Sequence, residues 1–132
     1  MKRILIIEDD DAVRENTAEL LDVNNYDVVT ASNGTTGFEL AKRNRPDLIL
    51  CDMMMPETDG RTFLKLAKDD GDIKDVPVIF FSAGTLPVKD QNVLIKEADG
   101  FLKKPFLEED LLRIVRTVLE HKHVLPDSTE AV

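Results

Sequence analysis

The sequence predicts an α/β fold, in which helices cover both faces of one parallel β-sheet. Short apolar runs alternate with amphipathic stretches along all 132 residues, without an internal repeat or an interior linker. Three of the apolar runs are continuously apolar, which is typical of strands that are buried on both faces. Because a chain of this length is ordinary for one domain with a substantial core, we expect a single folded domain.

Five segments have the length and composition of strands. They are residues 2–7, 27–31, 48–51, 76–81 and 100–102. The first, third and fourth are the continuously apolar runs. Five such strands predict the sheet order 2-1-3-4-5 of a flavodoxin-like (βα)5 fold, in which the first strand lies beside the third.

The amphipathic stretches predict five helices. Asp10 or Asp11 can cap the first helix, which ends near Val23, and Asn33 can cap the second, which ends near Arg43. The other three are residues 60–68, 86–97 and 106–121. A polar segment, "PDSTEAV", follows from Pro126. We therefore expect residues 1–122 to form the domain and residues 123–132 to form a polar tail or the start of a linker.

Composition restricts the partners and the compartment. A formal net charge of −9 argues against binding to nucleic acid or to an anionic membrane, because the summed field repels phosphate groups. The one cysteine, Cys51, excludes an internal disulfide, and its apolar neighbours indicate a small buried side chain. No apolar run has the length of a membrane span or of a signal peptide. The chain is predicted to be soluble and cytoplasmic, with proteins or cations as partners.

Four consecutive acids follow the first strand. In the predicted sheet, Glu8 and Asp9 leave the first strand at the edge where Asp52 leaves the third, so three carboxylates converge. At about 5 Å, each like-charged pair costs roughly 1 to 3 kcal/mol. A hard divalent cation with oxygen ligands relieves this repulsion, and Mg²⁺ suits a site that keeps several waters. A solvated acidic loop that caps a helix is the alternative, which we favour for Asp10 and Asp11.

Two further strand ends reach the same edge. The fourth strand finishes in "VIFFSAG", which brings the hydroxyl of Ser82 there, and the fifth finishes in "FLKKPF", which brings Lys104. Each residue alone is ordinary, because serine is common in turns and lysine is common on surfaces. Together, three carboxylates, a metal, a hydroxyl and an ammonium group are the equipment for holding a phosphoryl group.

With these motifs in place, the sequence resembles the receiver domain of bacterial two-component response regulators over nearly all of residues 2–121. Five motifs carry the resemblance: "IIEDD", "DLILCDMMMPETDG", "FFSAG", "ADGFLKKP" and the apolar closing helix. The second is the most specific, because it joins an aspartate after an apolar strand to Met-Pro and then to Asp-Gly. The resemblance implies a phosphorylation-activated switch of a two-component system or phosphorelay.

The resemblance also implies a metal site and an acceptor. Asp52 would accept a phosphoryl group from a sensor histidine kinase or a histidine phosphotransfer protein. Asp9 would hold Mg²⁺ directly and Glu8 would do so largely through water, while Asp52 and the backbone carbonyl of Met54 would add ligands. The chain would then not be an enzyme but a phosphoacceptor that promotes its own phosphorylation and slow dephosphorylation.

A conformational switch is the third implication. Lys104, Ser82 and the backbone N–H of Ala83 would contact the phosphoryl oxygens, and the ring of Phe101 would turn into the space that the Ser82 hydroxyl vacates. The face formed by the fourth helix, the fifth strand and the fifth helix would change. That face would bind an unknown downstream protein, or a second copy in a phosphorylation-dependent homodimer. The family also implies a cis peptide between Lys104 and Pro105.

Some positions depart from the family pattern. Glu97 stands where the family often has a glycine that ends the fourth helix. Asp99 and Gly100 replace an acidic pair that is frequent in dimerising transcriptional members, which argues against that subclass.

Met54 and Gly84 occupy the two positions that tune the phosphoryl lifetime. Neither offers a polar side chain to orient a water, so we predict that unassisted dephosphorylation is not fast.

Three other α/β functions lack their motifs. A haloacid-dehalogenase-like phosphatase requires a second aspartate two residues after Asp52, where this chain has Met54. A P-loop nucleotide switch or a flavin carrier requires a glycine-rich or hydroxyl-rich phosphate loop after the first strand, where this chain has "EDDDAVR". A receiver-like interaction module that is never phosphorylated stays open as the alternative. Such a module would be expected to lack one of the acids, the serine or the lysine, and all of them are present.

Overall fold

A computed structural model of the chain describes residues 1–55, 58–82 and 98–128, with side chains up to His121. Its sheet has five parallel strands in the order β2-β1-β3-β4-β5, which confirms the predicted fold class. The strands are β1 (Arg3–Ile7), β2 (Asp27–Ala31), β3 (Leu48–Asp52), β4 (Val78–Ser82) and β5 (Gly100–Lys103). No helix among the described residues is long and apolar enough to cross a membrane.

The strand ends differ slightly from the predicted ones, and two of the differences bear on function. β3 and β4 each extend one residue further than predicted, so Asp52 and Ser82 are the last residues of their strands. β4 begins at Val78 rather than at Val76, because the backbone N–H of Val76 closes a turn onto the carbonyl of Ile73 at 3.0 Å. Pro77 follows and has no N–H to donate to a neighbouring strand.

Side-chain caps begin each of the first three helices. Asp10, Asn33 and Asp59 each accept a hydrogen bond from the backbone N–H three residues later, at 2.8 to 3.0 Å. The helices are α1 (Asp11–Asp22), α2 (Gly34–Asn44) and α3 (Gly60–Lys68). The capping role favoured for Asp10 is therefore confirmed. The helix predicted over residues 86–97 lies outside the described residues.

The C-terminal helix spans Glu108–Ser128, whereas the sequence predicted residues 106–121. It begins later because the carbonyl of Leu107 accepts the first helical bonds, from the N–H groups of Asp110 and Leu111 at 3.0 and 3.1 Å. It also continues past Pro126, where the polar tail was expected to begin. The division of the chain near residue 122 stays a prediction.

Two apolar cores lie on opposite faces of the sheet, because successive side chains of a strand point to opposite faces. Members of one core are Leu5, Ile7, Ile49, Cys51, Phe63 and Phe80. Members of the other are Ile4, Ile6, Leu48, Leu50, Ile79, Leu111 and Val115. The prediction that Cys51 is a buried small side chain is confirmed, and each of the continuously apolar strands contributes buried side chains to both cores.

Asp99 is a structural residue of the sheet. Its carboxylate accepts a hydrogen bond from the backbone N–H of Val78 at 2.9 Å, and its own N–H donates to the carbonyl of Val78 at 2.8 Å. The next residue, Gly100, lies under the C-terminal helix, where an added Cβ would lie 3.0 Å from Ile114. This pair of positions thus joins β4 to β5 and lets the C-terminal helix approach closely.

Candidate functional site

Three carboxylates meet at the carboxyl edge of the sheet. β1 pairs with β3 so that Ile7 lies beside Cys51, which places the residues after each of them next to one another. One oxygen each from Glu8, Asp9 and Asp52 can be chosen so that all three lie within 4.8 Å of one another. The strand order thus brings Asp52 together with Asp9 and Glu8, which stand 43 and 44 residues earlier in the chain.

The environments of the three acids differ. Glu8 is 0% exposed and Asp52 is 4% exposed, whereas Asp9 faces solvent. Burial raises the pKa of Glu8 from its usual 4.5 to about 7. Hydrogen bonds from Lys104 and from the backbone of Asp10 oppose this rise, and the nearby Asp52 adds to it. A buried pair of carboxylates with an exposed third is a donor set of hard oxygens that is open to water on one side, which fits Mg²⁺.

Lys104 reaches into the cluster from the opposite end of the chain. It follows β5, and its backbone N–H donates to the carbonyl of Ser82 at 2.8 Å. Its Nζ lies 2.6 Å from Oε1 of Glu8 and 3.5 Å from Oδ2 of Asp52. The same atom lies 5.0 Å from the centre of the Phe81 ring. The Lys104–Pro105 peptide is cis, as the resemblance implied.

Ser82 ends β4 with its hydroxyl buried. The residue is 3% exposed, and within the described part of the chain its Oγ has no hydrogen-bond partner. A buried hydroxyl without a partner is costly, so such a group commonly marks a place where a ligand completes the hydrogen bonding. The neighbouring positions Ala83 and Gly84 lie outside the described residues, so the roles predicted for them stay predictions.

The segment after Asp52 alternates between buried and exposed side chains. Met53 and Met55 are buried, whereas the side chain of Met54 is 66% exposed. The N–H of Met54 donates to Oδ1 of Asp52 at 3.3 Å. Gly60 N–H donates to the carbonyl of Met53 at 2.9 Å, and a Cβ added to Gly60 would lie only 3.0 Å from Cα of Met53. Only a glycine at position 60 therefore allows the backbone to lie this close to Met53, the residue that follows Asp52.

Phe101 lies on β5, and its ring is 6.0 Å from that of Phe80 at an interplanar angle of 50°. It is partly buried against the core that contains Phe80. In this position the ring packs against the core, and its turn into the space of the Ser82 hydroxyl stays a prediction. The fourth-helix part of the predicted output face lies outside the described residues.

Sequence reasoning missed Arg14. One guanidinium nitrogen of Arg14 donates to the backbone carbonyl of Glu8 at 2.8 Å, and the other contacts Asp11 at 2.5 Å. The available signal was the spacing of Asp11 and Arg14, which places opposite charges three residues apart on one helix face. Neither the spacing nor the residue types showed that the arginine would reach back to the end of β1.

The assembled site can perform one kind of chemistry well. Three carboxylates offer metal ligands, one of them lies beside an ammonium group, and a hydroxyl without a hydrogen-bond partner among the described residues lies at the next strand end. Charge of both signs is thus arranged around a small anionic group that would bind at Asp52. This combination suits transfer of a phosphoryl group to a carboxylate.

Comparison with known proteins agrees with the fold and identifies the family. A family model for the response regulator receiver domain matches residues 4–116. The DNA-binding dual master transcriptional regulator RpaA of Synechocystis is 37% identical over 131 residues, which cover 98% of this chain and 54% of RpaA. The chain spans about half the length of the curated relatives it matches.

Solved structures give the same result. The crystal structure of a response regulator receiver domain protein from Clostridium thermocellum is 25% identical, with a TM-score of 0.85 over 95% of this chain and 99% of that one. The receiver domain of the sensor histidine kinase PA1611 from Pseudomonas aeruginosa is 27% identical, with a TM-score of 0.82 over 90% of this chain and 98% of that one. That structure is described with a magnesium ion coordinated in the active site cleft. The present chain therefore belongs to the response regulator receiver domain family of two-component signalling.

Proposed function

We propose that this chain is a phosphorylation-activated switch in which Asp52 accepts a phosphoryl group in a Mg²⁺-dependent reaction. The observation that carries the proposal is the convergence of three carboxylates with the ammonium group of Lys104, whose Nζ lies 3.5 Å from Asp52. A structural ion pair would need one acid for one lysine. The excess of negative charge around Lys104 favours a site that awaits a cation.

Glu8, Asp9 and Asp52 would hold Mg²⁺, and the backbone carbonyl of Met54 would add a ligand. When bound, the ion supplies positive charge that neutralises the oxygens of the phosphoryl group. The exposed position of Asp9 leaves room for the waters that Mg²⁺ usually keeps. The buried Glu8 is fixed by hydrogen bonds from Lys104 and from the backbone of Asp10, so it is held in place for a contact through water.

Asp52 would act as the nucleophile. One carboxylate oxygen attacks the phosphorus atom of the donor, so that an O–P bond forms while the bond from phosphorus to the donor breaks. The leaving group takes the bonding electron pair, which leaves acetate when the donor is acetyl phosphate. Lys104 would neutralise a second phosphoryl oxygen, and the hydroxyl of Ser82 would donate to a third, together with the backbone N–H of Ala83.

The physiological donor would be a sensor histidine kinase or a histidine phosphotransfer protein in the cytoplasm. Movement of Ser82 toward the new group would let Phe101 turn and would change the face around β5. The partner at that face would be a downstream protein, or a second copy in a phosphorylation-dependent homodimer. With a net charge of −9, the chain is not expected to bind nucleic acid by itself. Slow dephosphorylation would then set the duration of the signal.

The proposal is tested by the intact mass of the protein after incubation with acetyl phosphate and Mg²⁺. We expect the parent protein to gain the mass of one phosphoryl group. An Asp52→Asn variant should gain nothing, whereas Glu39→Gln, which removes an exposed acid of α2, should behave as the parent. A gain in the Asp52→Asn variant would remove Asp52 as the acceptor. No gain in the parent would favour the unphosphorylated interaction module.

A further inference from the structure

We propose that Arg14 is a positioning residue of the metal site, which sets the affinity for Mg²⁺ by holding the loop between Glu8 and Asp11. This inference rests on the proposed function. Nη1 of Arg14 donates to the backbone carbonyl of Glu8 at 2.8 Å, and Nη2 contacts Oδ1 of Asp11 at 2.5 Å. The guanidinium group thus spans the loop, from the end of β1 to the first residue of α1.

Burial indicates that this is more than a surface ion pair. The Arg14 side chain is 16% exposed, although its partner Asp11 is 81% exposed. An isolated surface pair would be weak, because water screens the charges and two long side chains lose freedom. The second bond, to a backbone carbonyl, fixes the guanidinium group in one orientation, as a fork with one donor nitrogen on each partner. A planar guanidinium with fixed donors suits such a two-point contact, and an ammonium group does not.

The loop needs this support because of Asp9. Within the described residues, Asp9 makes no hydrogen bond or ion pair, so no partner holds its carboxylate and the backbone of the loop sets the region that it can reach. One other tie across the loop is the bond from the Asp10 N–H to Oε2 of Glu8 at 3.1 Å. That tie uses an oxygen of a proposed metal ligand. Arg14 instead holds the loop through a carbonyl oxygen and through Asp11, which leaves the carboxylates of Glu8 and Asp9 available to the ion.

An electrostatic role and a positioning role of Arg14 predict opposite effects of its substitution on the affinity for Mg²⁺. If its positive charge mattered most, removing the charge would tighten Mg²⁺ binding, because like charges repel. If positioning matters most, removing the fork weakens binding whether or not the charge is kept. Arg14→Gln removes both the charge and the fork, and Arg14→Lys keeps the charge without the fork. The two variants together therefore separate the two effects.

The test is isothermal titration calorimetry of the full chain with MgCl₂. We expect both Arg14 variants to bind Mg²⁺ about tenfold more weakly than the parent, which is the usual effect of losing a support behind a metal ligand. Asp11→Asn, which weakens one arm of the fork, should give a smaller loss. Arg113→Gln is the matched control, because Arg113 makes the same kind of pair with Asp110, at 3.2 Å on the C-terminal helix. It should bind as the parent does.

The outcomes distinguish the two levels of the proposal. A parent protein that does not bind Mg²⁺ would overturn the proposed function and this inference with it. A parent that binds, with both Arg14 variants unchanged, would overturn this inference alone. Tighter binding by Arg14→Gln beside unchanged binding by Arg14→Lys would assign Arg14 a purely electrostatic role. If both Arg14 variants fail to fold, Asp11→Asn decides, since unchanged binding there would contradict the positioning role.

Discussion

Lys104 and Glu8 are 96 residues apart in the chain, and their side chains meet at 2.6 Å between Nζ and Oε1. Glu8 is fully buried, so this pair lies where water screens charge poorly. The same ammonium group lies 3.5 Å from Asp52, on the third strand. One cation is thus shared between two carboxylates, which makes Lys104 the point at which the first, third and fifth strands are coupled electrostatically.

The first prediction concerns that shared cation. Lys104→Gln should slow phosphorylation by acetyl phosphate at least about tenfold, because a charged donor to the phosphoryl oxygens is lost. The affinity for Mg²⁺ should not fall, since the ammonium group competes with the ion for Glu8. The measurements are the rate of mass gain and a calorimetric titration with MgCl₂. Lys103→Gln, at the exposed preceding residue, is the control, and an equal slowing there would assign the effect to surface charge.

The second prediction concerns the pH dependence of stability without metal. The folded-state pKa of Glu8 is about 7, above its usual 4.5, so the folded protein binds a proton that the unfolded chain releases. This contribution to stability is complete below pH 4.5 and is lost as the pH rises through 7. The free energy of unfolding should fall by on the order of 3 kcal/mol across this range, because a pKa difference of one corresponds to about 1.4 kcal/mol.

Urea unfolding of the parent and of Glu8→Gln in EDTA, between pH 5 and pH 8, measures this term. The difference between the two proteins isolates the titration of Glu8 from that of other groups. We expect the parent to lose stability relative to the variant as the pH rises. A difference that stays constant with pH would show that Glu8 is ionised throughout in the folded protein.

The third prediction concerns the buried hydroxyl of Ser82. Because its Oγ has no partner among the described residues, Ser82→Ala should change the free energy of unfolding by no more than about 1 kcal/mol. The same variant should be phosphorylated more slowly, since one donor to the phosphoryl group is absent. Ser82→Thr keeps the hydroxyl and should restore much of the rate. A large loss of stability in Ser82→Ala would instead show that the hydroxyl has a structural partner.

The fourth prediction concerns the lifetime of the phosphorylated protein. The side chain of Met54, two residues after Asp52, is exposed and offers no polar group to orient a water molecule. Met54→Asn should therefore shorten the lifetime of the phosphoryl group, and the parent should keep it for much longer than seconds. Loss of the added mass with time, after removal of acetyl phosphate, measures this. Equal lifetimes in the two proteins would rule out a role for this position.

The sheet was predictable because its signal is spread over many residues. Continuous apolar runs such as residues 48–51 indicate strands that are covered on both faces, and the strand order then placed Asp52 near Glu8 without any knowledge of contacts. The predicted ends of strands and helices were wrong by one or two residues where a single hydrogen bond decides where the element begins. The turn that ends at Val76 and the first helical bonds to Leu107 are of this kind.

The residue types of the candidate site could be predicted from the sequence, but the contacts between them could not. The sequence indicated acids, a serine and a lysine at successive strand ends. It did not indicate that Lys104 would prefer Glu8 at 2.6 Å to Asp52 at 3.5 Å, because that difference depends on rotamers. Nor did it indicate that Arg14 would bind a backbone carbonyl or that Asp99 would join two strands. Such contacts depend on backbone positions that only the folded chain determines.

The central claim is that Glu8, Asp9 and Asp52 form one binding site for a divalent cation. Its most direct test is a crystal structure of the protein grown with Mn²⁺, which takes the same oxygen ligands as Mg²⁺ and can be located by its anomalous scattering. We predict one strong anomalous peak among these three carboxylates. A peak elsewhere, or a cluster without one at saturating Mn²⁺, would contradict the claim.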